Sequence, residues 1–166
     1  MEKPLILVVE DETEYAQKIA KTVTSSDKYE AIIANSAIEA LETLKKNKGL
    51  FGVFPNRVRC ILLDIKMPEM DGLQFLENIR KDYEDSIEVI IITAYEDYEK
   101  WDRAIGGYVA SYIKKPFDRQ DLLDKLDTLF SKNERAKGRI YADTVVKAVE
   151  RIQEHKKGEP DSPKQP

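Results

Sequence analysis

Three short runs constrain this chain more than anything else in it: "LILVV" at 5–9, "CILL" at 60–63 and "VIII" at 89–92. Each is apolar without alternation and too short for a buried helix, so each reads as a strand. A strand with one wet face alternates apolar and polar residues. One that is apolar throughout must be covered on both faces, which is the situation of a central strand in a parallel sheet.

The segments between these runs change period from two to nearly four. "PLILVVE" (Pro4 to Glu10) is followed by "TEYAQKIAKTVTS", where Tyr15, Ile19 and Val23 recur four apart and predict a helix. "YEAIIA" (Tyr29 to Ala34) predicts a second strand. Ser36 with Glu39 has the spacing of a capping box and opens a helix through Ala37, Leu41 and Leu44. "CILLD" is the third strand, and "GLQFLENIRKDY" a helix with Leu73, Leu76 and Ile79 on one face. "EVIIIT" (Glu88 to Thr93) is the fourth strand. A helix over about 97–105 and a fifth strand, "YVASYI", come next. Asp118 then caps an amphipathic helix carrying Leu122, Leu126, Leu129 and Phe130. Five strands alternating with five helices imply parallel pairing through right-handed crossovers, hence a doubly wound α/β sheet. The connection over 49–58 is longer than usual and is expected to be a surface loop.

Composition removes several function classes. At 42% hydrophobic and 35% charged, the chain suits a globular protein, and no run approaches the roughly 18 apolar residues of a membrane span. The opening "MEKPLILVVEDE" lacks the h-region of a signal peptide, which predicts a cytoplasmic location and no membrane partner. Cys60 is the single cysteine, so an internal disulfide is excluded, and it reads as a small core residue. A net charge of -4 disfavours a general nucleic-acid binder. With one histidine, His155, and no Cys/His cluster, a zinc site or a Ser-His-Asp triad is not expected. A metal here would be held by oxygen, which favours Mg²⁺.

In open parallel sheets, ligands bind outside the carboxyl ends of the strands. The first strand ends in Glu10 and Asp11, the third in Asp64, the fourth in Thr93, and Lys115 follows the fifth, directly before Pro116. One such aspartate would be an ordinary solvated turn residue. The same placement after four strands is hard to assign to turn chemistry. Clustered carboxylates repel and call for a divalent cation, so Asp11 and Asp64 are candidate Mg²⁺ ligands. An aspartate can also be a nucleophile toward phosphorus, giving an aspartyl phosphate. Lys115 would then be a point charge on a phosphate oxygen, and the Thr93 hydroxyl a hydrogen-bond donor to another.

"VVEDE" (Val8 to Glu12), "LLDIKMPEMDG" (Leu62 to Gly72), "TAY" (Thr93 to Tyr95) and "YIKKPF" (Tyr112 to Phe117) together resemble the receiver domain of bacterial two-component response regulators, over roughly residues 3–130. The resemblance implies a flavodoxin-like five-stranded parallel sheet in the order 2-1-3-4-5. It implies that Asp64 is the phosphoacceptor, served by a sensor histidine kinase. It implies Mg²⁺ held by Asp11, Asp64 and the backbone carbonyl of Lys66, with Glu10 assisting. Thr93 and Lys115 would sense the phosphate, and Tyr112 would swing inward behind Thr93 as the switch. A cis bond at Lys115–Pro116 and a sharp loop-to-helix approach at Gly72 are also implied. Such a protein is a signalling module that changes its contacts with a downstream protein. It is not an enzyme beyond weak autophosphorylation and autodephosphorylation.

Three features depart from the pattern. Glu10 stands where Asp is commoner, and Tyr108-Val109 replaces the usual Gly-Ala ahead of the switch tyrosine. Lys66, two residues after Asp64, either brings a cation to the site or points into solvent. In an aspartate-nucleophile phosphohydrolase that place usually holds a second acid, so the enzyme reading is disfavoured.

The receiver is thus expected over 1–130, a helical extension over 131–157 and a disordered tail over 158–166. The extension is too short for a winged-helix domain, so DNA binding by this chain alone is not expected. Its helix is expected to be interrupted, or to start, near Gly138. Ala142, Val145, Val149 and Ile152 follow a/d spacing for two heptads. Three readings stay open: a helix packed back onto the receiver through that stripe, a homodimer helix, or the linker of a longer transcription regulator whose output domain lies outside this sequence.

Overall fold

The five strands are β1 (Leu5–Val9), β2 (Glu30–Ala34), β3 (Val58–Leu63), β4 (Glu88–Thr93) and β5 (Ser111–Lys114). They form one parallel sheet in the order β2-β1-β3-β4-β5. The computed structural model describes residues 2–48, 56–84, 86–94 and 109–158. The helices are α1 (Thr13–Thr24), α2 (Ala37–Lys46), α3 (Gly72–Tyr83), α4 (Arg119–Leu129) and α5 (Glu134–Gly158). The doubly wound sheet and its order are as anticipated. The expected surface loop lies outside the described residues except at its last three positions, and the helix over 97–105 lies wholly outside them. Of the expected tail, only Gly158 is described, as the last residue of α5.

Alternate residues of the central strands feed two separate apolar layers. Leu7, Val9, Ile61, Leu63, Val89 and Ile91 pack with α2 and α3. Ile6, Val8, Leu62, Ile90 and Ile92 pack with α1 and α4 on the other face. All five residues of β1 are buried, whereas edge strand β2 is only partly covered. Truncating a buried side chain such as Ile61 or Leu63 to Ala would cost about 2–5 kcal/mol, because interiors of this density relax little around a void.

Capping side chains place the helix starts. Ser36 Oγ accepts from Glu39 N at 3.1 Å, but the Glu39 carboxylate reaches back to Asn35 N, one residue earlier than a capping box requires. The complete box is at α3, where Asp71 accepts from Leu73 N and Gln74 N and the Gln74 side chain accepts from Asp71 N. Asp118 caps α4 through Asp121 N, as its position predicted.

Two boundaries differ from expectation. β5 begins at Ser111; of the expected start, Tyr108 lies outside the described residues, and Ala110 is buried with its carbonyl accepting from Thr144 Oγ1 at 3.1 Å. α5 is not interrupted at Gly138 and starts four residues before it. It does pack back onto the domain, though not through the predicted stripe. Ile140, Tyr141 and Thr144 make the contact, while Ala142, Val145 and Val149 are exposed. The side chain of Ile152 lies outside the described residues.

Candidate functional site

Polar side chains meet where β1, β3, β4 and β5 end, because each strand runs one or two residues past its last apolar position at the same edge. Glu10 N donates to Ala34 O at 3.1 Å, and Asn35 Nδ2 donates to Glu10 O at 3.0 Å, which pins the backbone just beyond β1. Asp64 N donates to Val9 O at 3.0 Å, carrying the β1–β3 ladder one step beyond β3. Lys115 N donates to Thr93 O at 3.0 Å and does the same for β4 and β5. The Lys115–Pro116 peptide bond is cis.

These backbone positions converge the side chains. Lys115 Nζ lies 2.5 Å from Glu10 Oε2 and 3.2 Å from Asp64 Oδ2. Glu10, Asp64 and Thr93 are buried, and Asp11 is exposed at the rim. Glu10, Asp11 and Asp64 each offer a carboxylate oxygen within 4.8 Å of the others. Asp64 Oδ1 is buried with no hydrogen-bond partner among the described residues. The group opens into a cleft of about 910 Å³ whose lining includes Lys66, Met67, Pro68 and Ala94. Lys66 is exposed, and Tyr112 is half-buried on β5 against the layer that holds α2 and α3.

The electrostatics are those of too many acids in too little water. Burial pushes the Glu10 carboxyl up; the bond from Lys115 pulls it down and the Asp64 charge pushes it up again, leaving it above the usual glutamate value. Burial alone would lower the Lys115 ammonium, but its bond to Glu10 and the charge of Asp64 outweigh that and raise it. Lys115 therefore stays charged and acts as counter-ion to two carboxylates at once.

Two features hold this geometry. At Gly72 an added Cβ would stand 2.3 Å from the Asp64 carbonyl oxygen and 2.8 Å from Ile65 Cα, so only glycine lets α3 start so close to the Asp64 loop. The second is Tyr15, which sequence reasoning treated only as part of the helix face. Lys115 Nζ sits 4.4 Å from its ring centroid, and its hydroxyl accepts from Phe117 N at 3.4 Å. Its four-residue offset from Asp11 on the next helix was the available signal, because α1 returns its first turn to the same edge.

A parallel sheet with an acid-and-lysine cluster at its carboxyl edge is a doubly wound α/β domain with an acidic site at that edge, and comparison with known proteins identifies the family. Residues 6–127 match the response regulator receiver domain. The chain belongs to that family. It is 31% identical over 121 residues to the chemotaxis protein CheY of Treponema pallidum, covering 73% of this chain and 78% of that one. It is 32% identical over 103 residues to the transcriptional regulatory protein CrdR of Helicobacter pylori, covering 62% of this chain and 44% of that protein. A hybrid signal transduction histidine kinase of Dictyostelium discoideum is 28% identical over 130 residues, of which the chain spans 8%. Among solved structures, a CheY-like receiver domain protein from Methanospirillum hungatei superposes with a TM-score of 0.62 at 26% identity, over 92% of this chain and 99% of that one. A response regulator receiver protein from Pseudomonas putida shares the fold, with a TM-score of 0.67 over 76% of this chain and 98% of that one.

Proposed function

We propose that Asp64 accepts a phosphoryl group from a sensor histidine kinase in a Mg²⁺-dependent reaction, and that the modified domain changes its contacts with a downstream protein. The observation that carries this reading is Asp64 itself. One carboxylate oxygen is bonded to Lys115, and the other is buried in the cleft wall without a hydrogen-bond partner among the described residues. A buried charged oxygen left unsatisfied is costly unless a ligand completes it.

The donors fit a hard cation. Asp11, Asp64 and the Lys66 backbone carbonyl would hold Mg²⁺, with Glu10 assisting, and the cluster contains oxygen donors alone. When bound, the ion would neutralise charge on the incoming phosphoryl group. Asp64 supplies the nucleophilic oxygen: an O–P bond forms as the N–P bond of the kinase phosphohistidine breaks. The imidazole leaves with that electron pair, neutral because its other nitrogen carries a proton. Lys115, held between Glu10 and Tyr15, would pair with a phosphoryl oxygen, and the Thr93 hydroxyl would donate to another. Movement of Thr93 would open room for Tyr112 to turn inward, changing the surface around β5.

The rest of the reading follows from this role. The chain acts as a signalling module rather than an enzyme, and it works in the cytoplasm; among the described residues no helix is long and apolar enough to cross a membrane. The receiver occupies 1–130, and 131–157 is an extension, outside the matched span of 6–127. A second reading, the receiver part of a longer transcription regulator, is favoured by the similarity to CrdR, of which this chain spans 44%.

The test is intact mass after incubation with acetyl phosphate, with Mg²⁺ or with chelator, beside Asp64→Ala. One phosphoryl adduct is expected on the wild type with Mg²⁺ and none in the other samples. An adduct that survives in Asp64→Ala, or that forms equally in chelator, would overturn the assignment.

A further inference from the structure

α5 presents to solvent a face that no described residue of the domain is shown to pack against. Thr144 is the buried anchor, with its hydroxyl shared between Ala110 O and Ile140 O. At 3.6 residues per turn, Ala142, Val146 and Val149 lie within about 40° of the line directly opposite Thr144, with Val145 on the shoulder. Val145, Val146 and Val149 are 44%, 53% and 42% exposed. Gly138 lies on the same side, and a Cβ there would meet nothing within 4 Å. Among the described residues nothing calls for a glycine at that position, where it costs the helix about 1 kcal/mol relative to alanine.

We propose that this face pairs with the same face of a second copy of the chain, the two α5 helices running antiparallel. The charges beside the stripe select both the occupant and the direction. Arg139 and Glu150 are exposed and lie on the same flank of the valines. In an antiparallel pair, like flanks face each other. A two-fold axis crossing the helix between Thr144 and Val145 sets Arg139 of each copy beside Glu150 of the other, twice per dimer. The same axis brings each Val149 over the bare Gly138 of its neighbour. In a parallel, in-register pair the two charged flanks would lie on opposite sides of the seam, and Arg139 and Glu150 would not meet. The surface thus carries its own complement, as an isologous interface requires. This pairing does not rest on the phosphoryl chemistry, and its test needs no phosphate.

Sedimentation equilibrium of the full chain over a wide concentration range provides the test, with circular dichroism to establish that each variant is folded. The wild type is expected to dimerise, and Val146→Glu to remain monomeric. Arg139→Glu should weaken association about tenfold by setting like charges together, and Arg139→Glu combined with Glu150→Arg should restore it. Cys60 is buried, so introduced cysteines report alone. Val145→Cys, near the axis, should form an intermolecular disulfide on mild oxidation, and Val149→Cys should not. A wild type monomeric at every concentration, a charge swap that fails to restore pairing, or efficient cross-linking of Val149→Cys would each overturn the proposal.

Discussion

Strands β4 and β5 have two ends, and the sequence treats them in opposite ways. At the carboxyl end, Glu10 and Asp64 share Lys115, and one oxygen of Asp64 is buried without a hydrogen-bond partner among the described residues. At the amino end, Tyr141 OH donates to the Glu88 carboxylate, Thr144 donates to Ala110 O, and Arg80 donates to Ile87 O. Both ends bury polar atoms, but the amino end satisfies those just named within the chain. The difference teaches how to tell a site from a joint. Where the chain completes its own hydrogen bonds, the polar groups hold structure; where it leaves a buried acid short, they await a ligand.

Three substitutions would break or sharpen that contrast. Gly72→Ala should have the largest effect. Its Cβ would collide with backbone rather than with a yielding side chain, so a loss of about 3 kcal/mol or more in urea unfolding is expected. Lys115→Met comes next. In chelator it leaves Glu10 and Asp64 without the ammonium they share, and a loss of about 2–3 kcal/mol is expected. Adding Mg²⁺ should recover much of that loss. If Mg²⁺ makes no difference, the carboxyl edge is a structural joint like the other. Tyr141→Phe should cost least, about 1 kcal/mol, because it removes one hydrogen bond to a partly buried carboxylate.

That last effect carries a pH signature with a definite sign. Burial raises the Tyr141 hydroxyl above its usual value of 10.0, and the bond to Glu88 and the charge of Glu88 raise it further. A raised pKa means the folded state holds the proton more tightly than the unfolded one. The stabilisation is therefore complete below pH 10.0 and is lost as pH rises through the higher folded value. The stability gap between wild type and Tyr141→Phe should be constant through neutral pH and close only in that alkaline window.

Most of the fold could be read from periodicity, since continuous apolar strands and four-residue helical spacing each have one economical arrangement. The residues of the carboxyl edge were legible for a related reason: strand ends are easy to find, and a parallel sheet collects them on one side. Tyr15 was missed because helical spacing assigns it to a buried face and says nothing about a ring standing beside the Lys115 ammonium. For the stripe on α5 the spacing left three readings open, and the exposure of Val145 and Val149 speaks only against its packing back onto the receiver. A heptad pattern shows that a face is apolar but not what covers it, and Thr144, whose hydroxyl finds two carbonyls, proved the better anchor. The capping box at Asp71 was hidden by the sharp turn before it, where Glu69 adopts a φ of 66°.

Thr144 also works as a fulcrum. Beyond it α5 continues for about 21 Å at the usual rise per residue, with its exposed valines turned away from the domain. A long arm on a short mount magnifies angle. A tilt of about 10° at Ala110 would swing the far end by roughly 4 Å. A spin label near the end of α5, paired with one on the sheet, would therefore read small displacements of β5 as a change in distance, much as a dial hand magnifies the turn of its spindle.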